Sequence, residues 1–452
     1  MLALIIGLSV TFLVGYYIVK GYAASGVLLV GGIVLLSVSA ALGYRILPAE
    51  VTSTGNPLSD VIDFVRYMLV DRTAGLGLMI MLLCGFSAYM NHLGAHGALV
   101  KLLSKPLHAI HSPYLLMVVA YFVACAMSLA VSSAAGLGIL LMATLFPLMV
   151  NVGISRAAAT AICASPAAIM LAPTSGDVII AAETAGMELL PFAFGLSLPI
   201  SLSAMAGMGV THFFWQRWLD EREGVRHEPV DISRQQLHGP DGYAILPFLP
   251  LVGVFVFNGD YGIQFDINTI VIFSLLLAAS CEFLRKRDAK KLFDGLNVAY
   301  RGMAEAFSSV VILLVAAGVF AQGLMSVGFI EQLLQLGQEN QWSALCVMLL
   351  LVLITLLAAV TTGSGNAPFY AFIELIPKLA MSLGIPPAYL VIPMLQASNL
   401  GRTISPISGV VVATAGMGHV SPLEVVKRTS LPVAVALVIV IVLTHWLVPR
   451  AL

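Results

Sequence analysis

Long apolar runs separated by short polar stretches dominate the chain. Such runs cover 2–19, 24–44, 74–91, 156–180, 190–214, 243–257, 267–284, 305–322, 386–412 and 429–447, and a helix crossing a bilayer needs about 20 mainly apolar residues. Two longer blocks, 113–150 and 343–380, have room for two legs each, and small polar residues interrupt both midway. The pattern predicts an all-α polytopic membrane protein of about ten spans, with two hairpins that enter and leave by one face. Residues 57–72, PLSDVIDFVRYMLVDR, place apolar side chains at helical spacing between charges and predict an interfacial helix. Residues 94–112 predict a counterpart on the cytoplasmic side. The apolar start has no basic n-region and no A-x-A site, which predicts a retained span rather than a cleaved signal.

Composition agrees with this picture and narrows function. Of 452 residues, 59% are hydrophobic and 10% charged, with net charge -1; soluble chains carry about 25% charged residues. Charge this sparse excludes a nucleic-acid-binding surface. Sixteen of the 22 Lys and Arg residues fall on one face if both hairpins return to their side of entry, the largest group being Arg285, Lys286, Arg287, Lys290, Lys291 and Arg301. Arg45, Arg66, Arg72, Lys378 and Arg450 fall on the other, so the basic face is cytoplasmic and both termini are outside. Cys84, Cys125, Cys163, Cys281 and Cys346 sit singly, with neither disulfide nor zinc spacing. The chain has no Walker A sequence, dinucleotide fingerprint, H-E-x-x-H or G-x-S-x-G. Transport driven by gradients is expected, and enzymatic chemistry is not.

The chain repeats itself. AVSSAAGLG at 130–138 matches AVTTGSGNA at 359–367, and each sits between two apolar legs. Ala164-Ser165-Pro166 matches Ala397-Ser398-Asn399, and Pro173-Thr174-Ser175-Gly176 matches Pro406-Ile407-Ser408-Gly409. The unit has five spans and one hairpin, and an odd number of crossings turns the second copy upside down. The expected division is a first inverted repeat over 1–214 (hairpin 113–150, broken helix 156–180), a cytoplasmic linker over 215–242 and a second repeat over 243–452 (hairpin 343–380, broken helix 386–412).

The interruptions are the candidate site, because an open turn at membrane depth persists only inside protein or against a wet cavity. Ser132 and Ser133 mark the first tip; Thr361, Thr362, Gly363, Ser364, Gly365 and Asn366 mark the second. Backbone N–H groups at the start of each returning leg, with hydroxyls beside them, make an anion site. Pro166, Pro173 and Pro406 break the paired helices and are expected to free carbonyls. With Ser165, Thr174, Ser175, Ser398, Asn399, Thr403 and Ser405, these offer oxygens to substrate or to a sodium ion near Ser165, Ser398 and Ser405. Arg402 is placed to pair with a substrate carboxylate, to form a structural ion pair, or to reach the cytoplasmic interface. Asp177 is placed to couple a cation or proton, or to cap its helix. Glu183, Glu305 and Glu374 fall on the wet rim.

At these segments, YLLMVVAYFVACAMSLAVSSAAGLGILL, AAVTTGSGNAPFYAF and PMLQASNLGRTISPISGVVVA, the sequence resembles the anaerobic C4-dicarboxylate carriers of the DcuC family, and the likeness covers nearly the whole chain. The resemblance implies a bacterial inner-membrane secondary carrier for succinate, fumarate and malate, working by succinate efflux or exchange and coupled to protons or sodium. It also implies the ion-transporter superfamily plan, in which a scaffold holds a homodimer and a mobile region carries the hairpins. The residues alone equally allow a short-chain monocarboxylate or amino-acid carrier, or a passive anion channel.

Overall fold

The computed structural model describes residues 2–448 except 48–52, 105–106, 108–109, 111, 132, 174, 225–238, 258–264, 330, 333–334 and 336–342. The regular elements among the described residues are helices, and eight are long and apolar enough to cross a membrane. Arg226, Arg234 and Arg450, with half of the 215–242 linker, lie outside the described residues.

Two kinked rods form the centre. Pro57–Arg72 is not a separate surface helix: it runs through a π-turn, Thr73–Gly77, into Leu78–His92. Asn56 caps the start by accepting the Leu58 N–H at 3.0 Å, with Pro57 in the first turn. Gly75, at φ -84 and ψ -114, makes the kink. Val61, Phe64 and Met68 pack with Val315 and Val319, so apolar positions expected at the lipid interface belong to the core. Ala289–Ala306 likewise passes through a π-turn, Phe307–Val311, into Ile312–Ser326. Both π-turns have five residues, and Thr73 to Phe307 and Gly77 to Val311 are each 234 positions apart. This recurrence is the clearest structural sign of an internal repeat. The rods cross almost backbone to backbone, because a Cβ on Gly85 would meet the Ala299 carbonyl at 2.8 Å and one on Gly302 the Ala88 Cβ at 2.7 Å.

Both long apolar blocks fold into two legs. The first is Pro113–Met127 and Ala134–Asn151. The second is Ala344–Thr362, then Asn366–Ile373 and Ile376–Leu383, whose split follows from Pro377 in the first turn of the last piece. The two proline-bearing helices are broken as expected. Arg156–Ala164 passes through a 3-10 turn, Pro166–Ala168, and an irregular stretch to Gly176–Thr184. Ala388–Thr403 stops before Gly409–Gly418. The carbonyls expected to be freed by Pro166 and Pro406 are engaged, however: Ser165 N–H donates to Ile162 O at 3.4 Å and Ser405 N–H to Arg402 O at 3.2 Å. A tight turn recovers the bond that the proline removes.

One further correction concerns the segment expected as a second interfacial helix. Ala95–Ser104 is helical but does not lie on a surface: Ala95 to Val100 are buried, and the helix packs under Asp241–Phe248. The long helices Leu198–Glu223 and Pro422–Leu447 pair side by side. Between them Arg428 is fully buried, with Asp220 at 2.7 Å, Glu223 at 2.6 Å and Glu424 at 2.9 Å. Asp220 also accepts from Ser155 Oγ at 2.7 Å, the cap of the first broken helix, and from Tyr114 at the foot of the first hairpin at 3.2 Å.

Candidate functional site

A cavity of about 550 Å³ opens where both tips, both breaks and both rods meet. Ser133, Ala134 and Gly136 reach it from the first tip, and Asn366 and Tyr370 from the second. Ser175, Gly176 and Asp177 come from the first break and Arg402 from the second. Its mouth carries the exposed residues Asn91 and Glu305. The mouth end is also where His92 lies beside Gly295, on the helix that begins in the basic 285–291 loop.

Helix ends dominate its electrostatics. Ser133 caps Ala134–Asn151 by accepting the Gly136 N–H at 3.1 Å. Ser175 caps Gly176–Thr184 by accepting the Val178 N–H at 3.3 Å. Asn366 opens a third helix, whose first turn is held by Ser364 Oγ accepting the Ala367 N–H at 3.2 Å. Three amino-terminal helix ends therefore face one space, and each carries a partial positive charge. Arg402, in the last turn of Ala388–Thr403, adds a full one where its own helix dipole favours a cation. Its Nη2 donates to the Ala167 carbonyl in the first break at 3.0 Å, and its buried Nε has no hydrogen-bond partner. Tyr370 OH donates to the buried Asp177 carboxylate, and Asn366 Nδ2 donates to Tyr370 OH at 3.5 Å.

The breaks are held open by a residue that sequence reasoning passed over. Gln396, fully buried, clasps the Met170 peptide: Oε1 accepts the Met170 N–H at 2.9 Å and Nε2 donates to Met170 O at 3.0 Å. Nε2 also reaches Ser201 Oγ at 3.1 Å. A lone glutamine in a buried apolar helix is a signal of this kind, because its amide must find partners. Ser87, Asn91 and Ser309 also escaped notice: Ser87 and Asn91 follow Cys84 by three and seven positions, and Glu305, expected on the rim, and Ser309 follow Gly302 likewise. Each set makes one polar stripe per rod, legible as helical periodicity. His96 lines the cavity too, with its buried Nε2 unpartnered.

The sequence model of the C4-dicarboxylate anaerobic carrier family, DcuC, matches residues 2–449. The chain belongs to this family. It is 61% identical over 446 residues to the anaerobic C4-dicarboxylate transporter DcuC of Escherichia coli K12, covering 99% of this chain and 97% of that one. Two solved structures share the fold at low identity. The YdaH transporter of Alcanivorax borkumensis superposes with TM-score 0.64 at 16% identity, covering 94% of this chain and 100% of that one. MtrF of Neisseria gonorrhoeae, described within a class of antimetabolite efflux pumps, gives 0.60 at 14%, covering 94% of each.

For this DcuC-family chain, the residues singled out from sequence divide into two groups. Ser133, Ser175, Asp177, Asn366 and Arg402 line the cavity together. The others shape its frame. Thr361 Oγ1 donates to Leu357 O at 2.9 Å, and Thr362 Oγ1 donates to Ala358 O at 2.7 Å while accepting from Ser364 N–H. Gly363 has φ 70, and a Cβ there would meet the Ile407 carbonyl at 3.1 Å, so the second tip rests directly on the second break. A Cβ on Gly365 would lie 3.1 Å from Asn399 Oδ1 and 3.5 Å from Arg402 Nη1. Ser165, Ser398 and Ser405 donate to Ala161 O, Leu395 O and Val360 O at 2.6, 2.7 and 2.7 Å. Asn399 Nδ2 and Thr403 Oγ1 donate within their helix, to Leu395 O and Asn399 O. Ser132 and Thr174 lie outside the described residues. Of the three rim carboxylates, Glu305 stands at the cavity, whereas Glu183 and Glu374 line a second cavity with Arg72.

Proposed function

We propose that this protein is a multi-pass secondary carrier of the bacterial inner membrane that moves C4-dicarboxylates such as succinate and fumarate by alternating access. The observation that carries the reading is the single cavity in which three helix amino ends and Arg402 converge from both halves of a DcuC-family chain. One carboxylate would take the open edge of Arg402 and the other the amino end of a returning leg, with Ser133, Ser175 and Asn366 beside it. Within the cavity one arginine faces two carboxylates, Asp177 and Glu305. A dianion entering such a site gains from travelling with cations, so coupling to protons or sodium belongs to the same proposal, with Asp177 as the coupling group. The oxygens of Ser165, Ser398 and Ser405 are the candidate sodium ligands.

The architecture we infer is two repeats of opposite orientation, 1–214 and 243–452, joined by the 215–242 segment. The legs within 113–150 and 343–380 are re-entrant hairpins belonging to a mobile region, and the remaining helices form a scaffold that supports a homodimer. The repeated π-turn, hairpin and broken helix support it. Reconstituted protein should show saturable counterflow, external fumarate speeding the exit of labelled succinate, with no acceleration by butyrate or aspartate. Equal competition by butyrate would favour a monocarboxylate carrier, and linear flux would favour a channel. Imposing pH and sodium gradients separately identifies the coupling ion.

A further inference from the structure

Arg72 lines a second cavity of about 490 Å³, about two helical turns along its rod from Ile80 in the central one. The two cavities share three elements, each stepping by a single turn. Leu76 lines the second cavity and Ile80 the central one; Ile180 and Asp177 divide in the same way, as do Glu374 and Tyr370. Three or four helical residues advance about 5–6 Å. The two spaces are therefore stacked along one path, and the layer between them contains the hydrogen bond from Tyr370 to Asp177. Above that layer Arg72 Nη2 donates to Glu374 at 2.7 Å, with Glu183 at 4.0 Å from Nη1. Among the described residues Arg72 is the only cation lining that cavity, and its buried Nε has no hydrogen-bond partner. The pair ties the first rod to the split returning leg of the second hairpin.

We propose that Arg72 is a second, extracytoplasmic carboxylate subsite on the transport path, occupied by Glu374 when the path is shut. An incoming dicarboxylate places one carboxylate on Arg72, displaces Glu374 and thereby frees the second hairpin to part from the rod. Ion-pair exchange suits such a step, since the arginine remains paired throughout and the displaced Glu374, whose side chain is 23% exposed, turns to water. The inference rests on the central cavity being the substrate site.

Steady-state uptake and thiol labelling of the full-length carrier test it, in a Cys281→Ser, Cys346→Ser background. Native Cys84 lines the central cavity and reports access, while Cys125 and Cys163 are buried. From outside the cell a membrane-impermeant maleimide should label Cys84 slowly, and about tenfold faster after Arg72→Gln or Glu374→Gln. External succinate KM should rise about tenfold in Arg72→Gln but fall in Glu374→Gln, whose competing carboxylate is gone. Arg72→Lys keeps the charge and should stay near the wild-type KM. A KM that moves the same way in both neutral variants, or unchanged labelling in both, would overturn the subsite. If succinate fails to protect Cys84 in the background protein, the central site itself is wrong, which is a separate failure.

Discussion

Replacing Arg402 with glutamine removes the one full positive charge from the central cavity and leaves a shorter, neutral planar amide. The guanidinium has five N–H donors. One edge is committed to the Ala167 carbonyl at 3.0 Å, whereas Nε is buried without a partner, so the donors left over are those available to a carboxylate. A hydrogen bond to a charged group contributes about 1.5–3 kcal/mol, which corresponds to about a 10- to 150-fold rise in Kd for succinate. The variant also leaves Asp177 facing the dianion without its cation, so the loss should lie toward the upper end. Adding Asp177→Asn should recover part of it. Arg402→Lys keeps the charge but not the two-pronged geometry and should fall between. Scintillation-proximity binding of labelled succinate to the purified carrier in nanodiscs gives Kd, and a thermal melt of the same samples shows whether the fold survived. A glutamine variant that melts like wild type and binds succinate within twofold of it would refute the assignment of Arg402.

Three other substitutions and one control probe the frame around that site. Gln396→Leu leaves the Met170 N–H and carbonyl without their clasp; at about 1–3 kcal/mol for each buried unsatisfied group, the melting temperature should drop clearly, and an unchanged melt would mean that water replaces the amide. Gly363→Ala adds left-handed strain of about 1–2 kcal/mol and a Cβ 3.1 Å from the Ile407–Ser408 backbone, so transport should fall with insertion retained. Gly384→Ala, at φ 63 with nothing within 4 Å, carries only the strain and is the control; equal flux in the two variants would detach the tip from the mechanism. Arg428→Met strands Asp220, Glu223 and Glu424, which for a broken buried ion pair costs about 3–5 kcal/mol, and should lower both accumulation in the membrane and the melting temperature; wild-type melting would show that the cluster is not needed for stability.

What could be read from sequence followed from one-dimensional signals. Paired prolines and glycines among small polar residues marked the interruptions near Pro166 and Pro406 and the turn at 363–365, and Ser133 within an apolar block marked the first tip, whereas Pro147, Pro393 and Pro432 lie inside continuous helices. Apolar run length located the spans, but it could not tell a surface helix from the first half of a rod, because Pro57–Arg72 is amphipathic for a protein neighbour rather than for lipid. The π-turns left no compositional trace, since TAGLG and FSSVV differ in every residue except by their shared position in the repeat. Hydroxyl counting singles out more residues than line the central cavity, for a related reason. A serine or threonine in an apolar helix readily donates to a carbonyl three or four residues back, as Thr361, Thr362, Ser398 and Thr403 do. Glutamine and arginine are too long for that local escape, and their partners, Met170 for Gln396 and Ala167 for Arg402, lie more than two hundred residues away.

That distance gives the site its character. Each strong group in the central cavity is already partly engaged: Arg402 with the Ala167 carbonyl, Asp177 with Tyr370, Ser133 and Ser175 with the helix ends they cap. A carrier must let go of its substrate on the far side, so binding that is too favourable in any one state slows the cycle. Partners inside the protein lower the net gain when substrate arrives and reclaim the same groups when it leaves. Because the partners of Arg402 and Asp177 come from the other half of the chain, releasing them also loosens the contact between those halves. Arg402 bridges the two breaks and Tyr370–Asp177 links the second hairpin to the first broken helix, so occupancy by a dicarboxylate would act on the very bonds that hold the hairpins in register. Substrate binding and the loosening of these contacts are then one event, described from two ends.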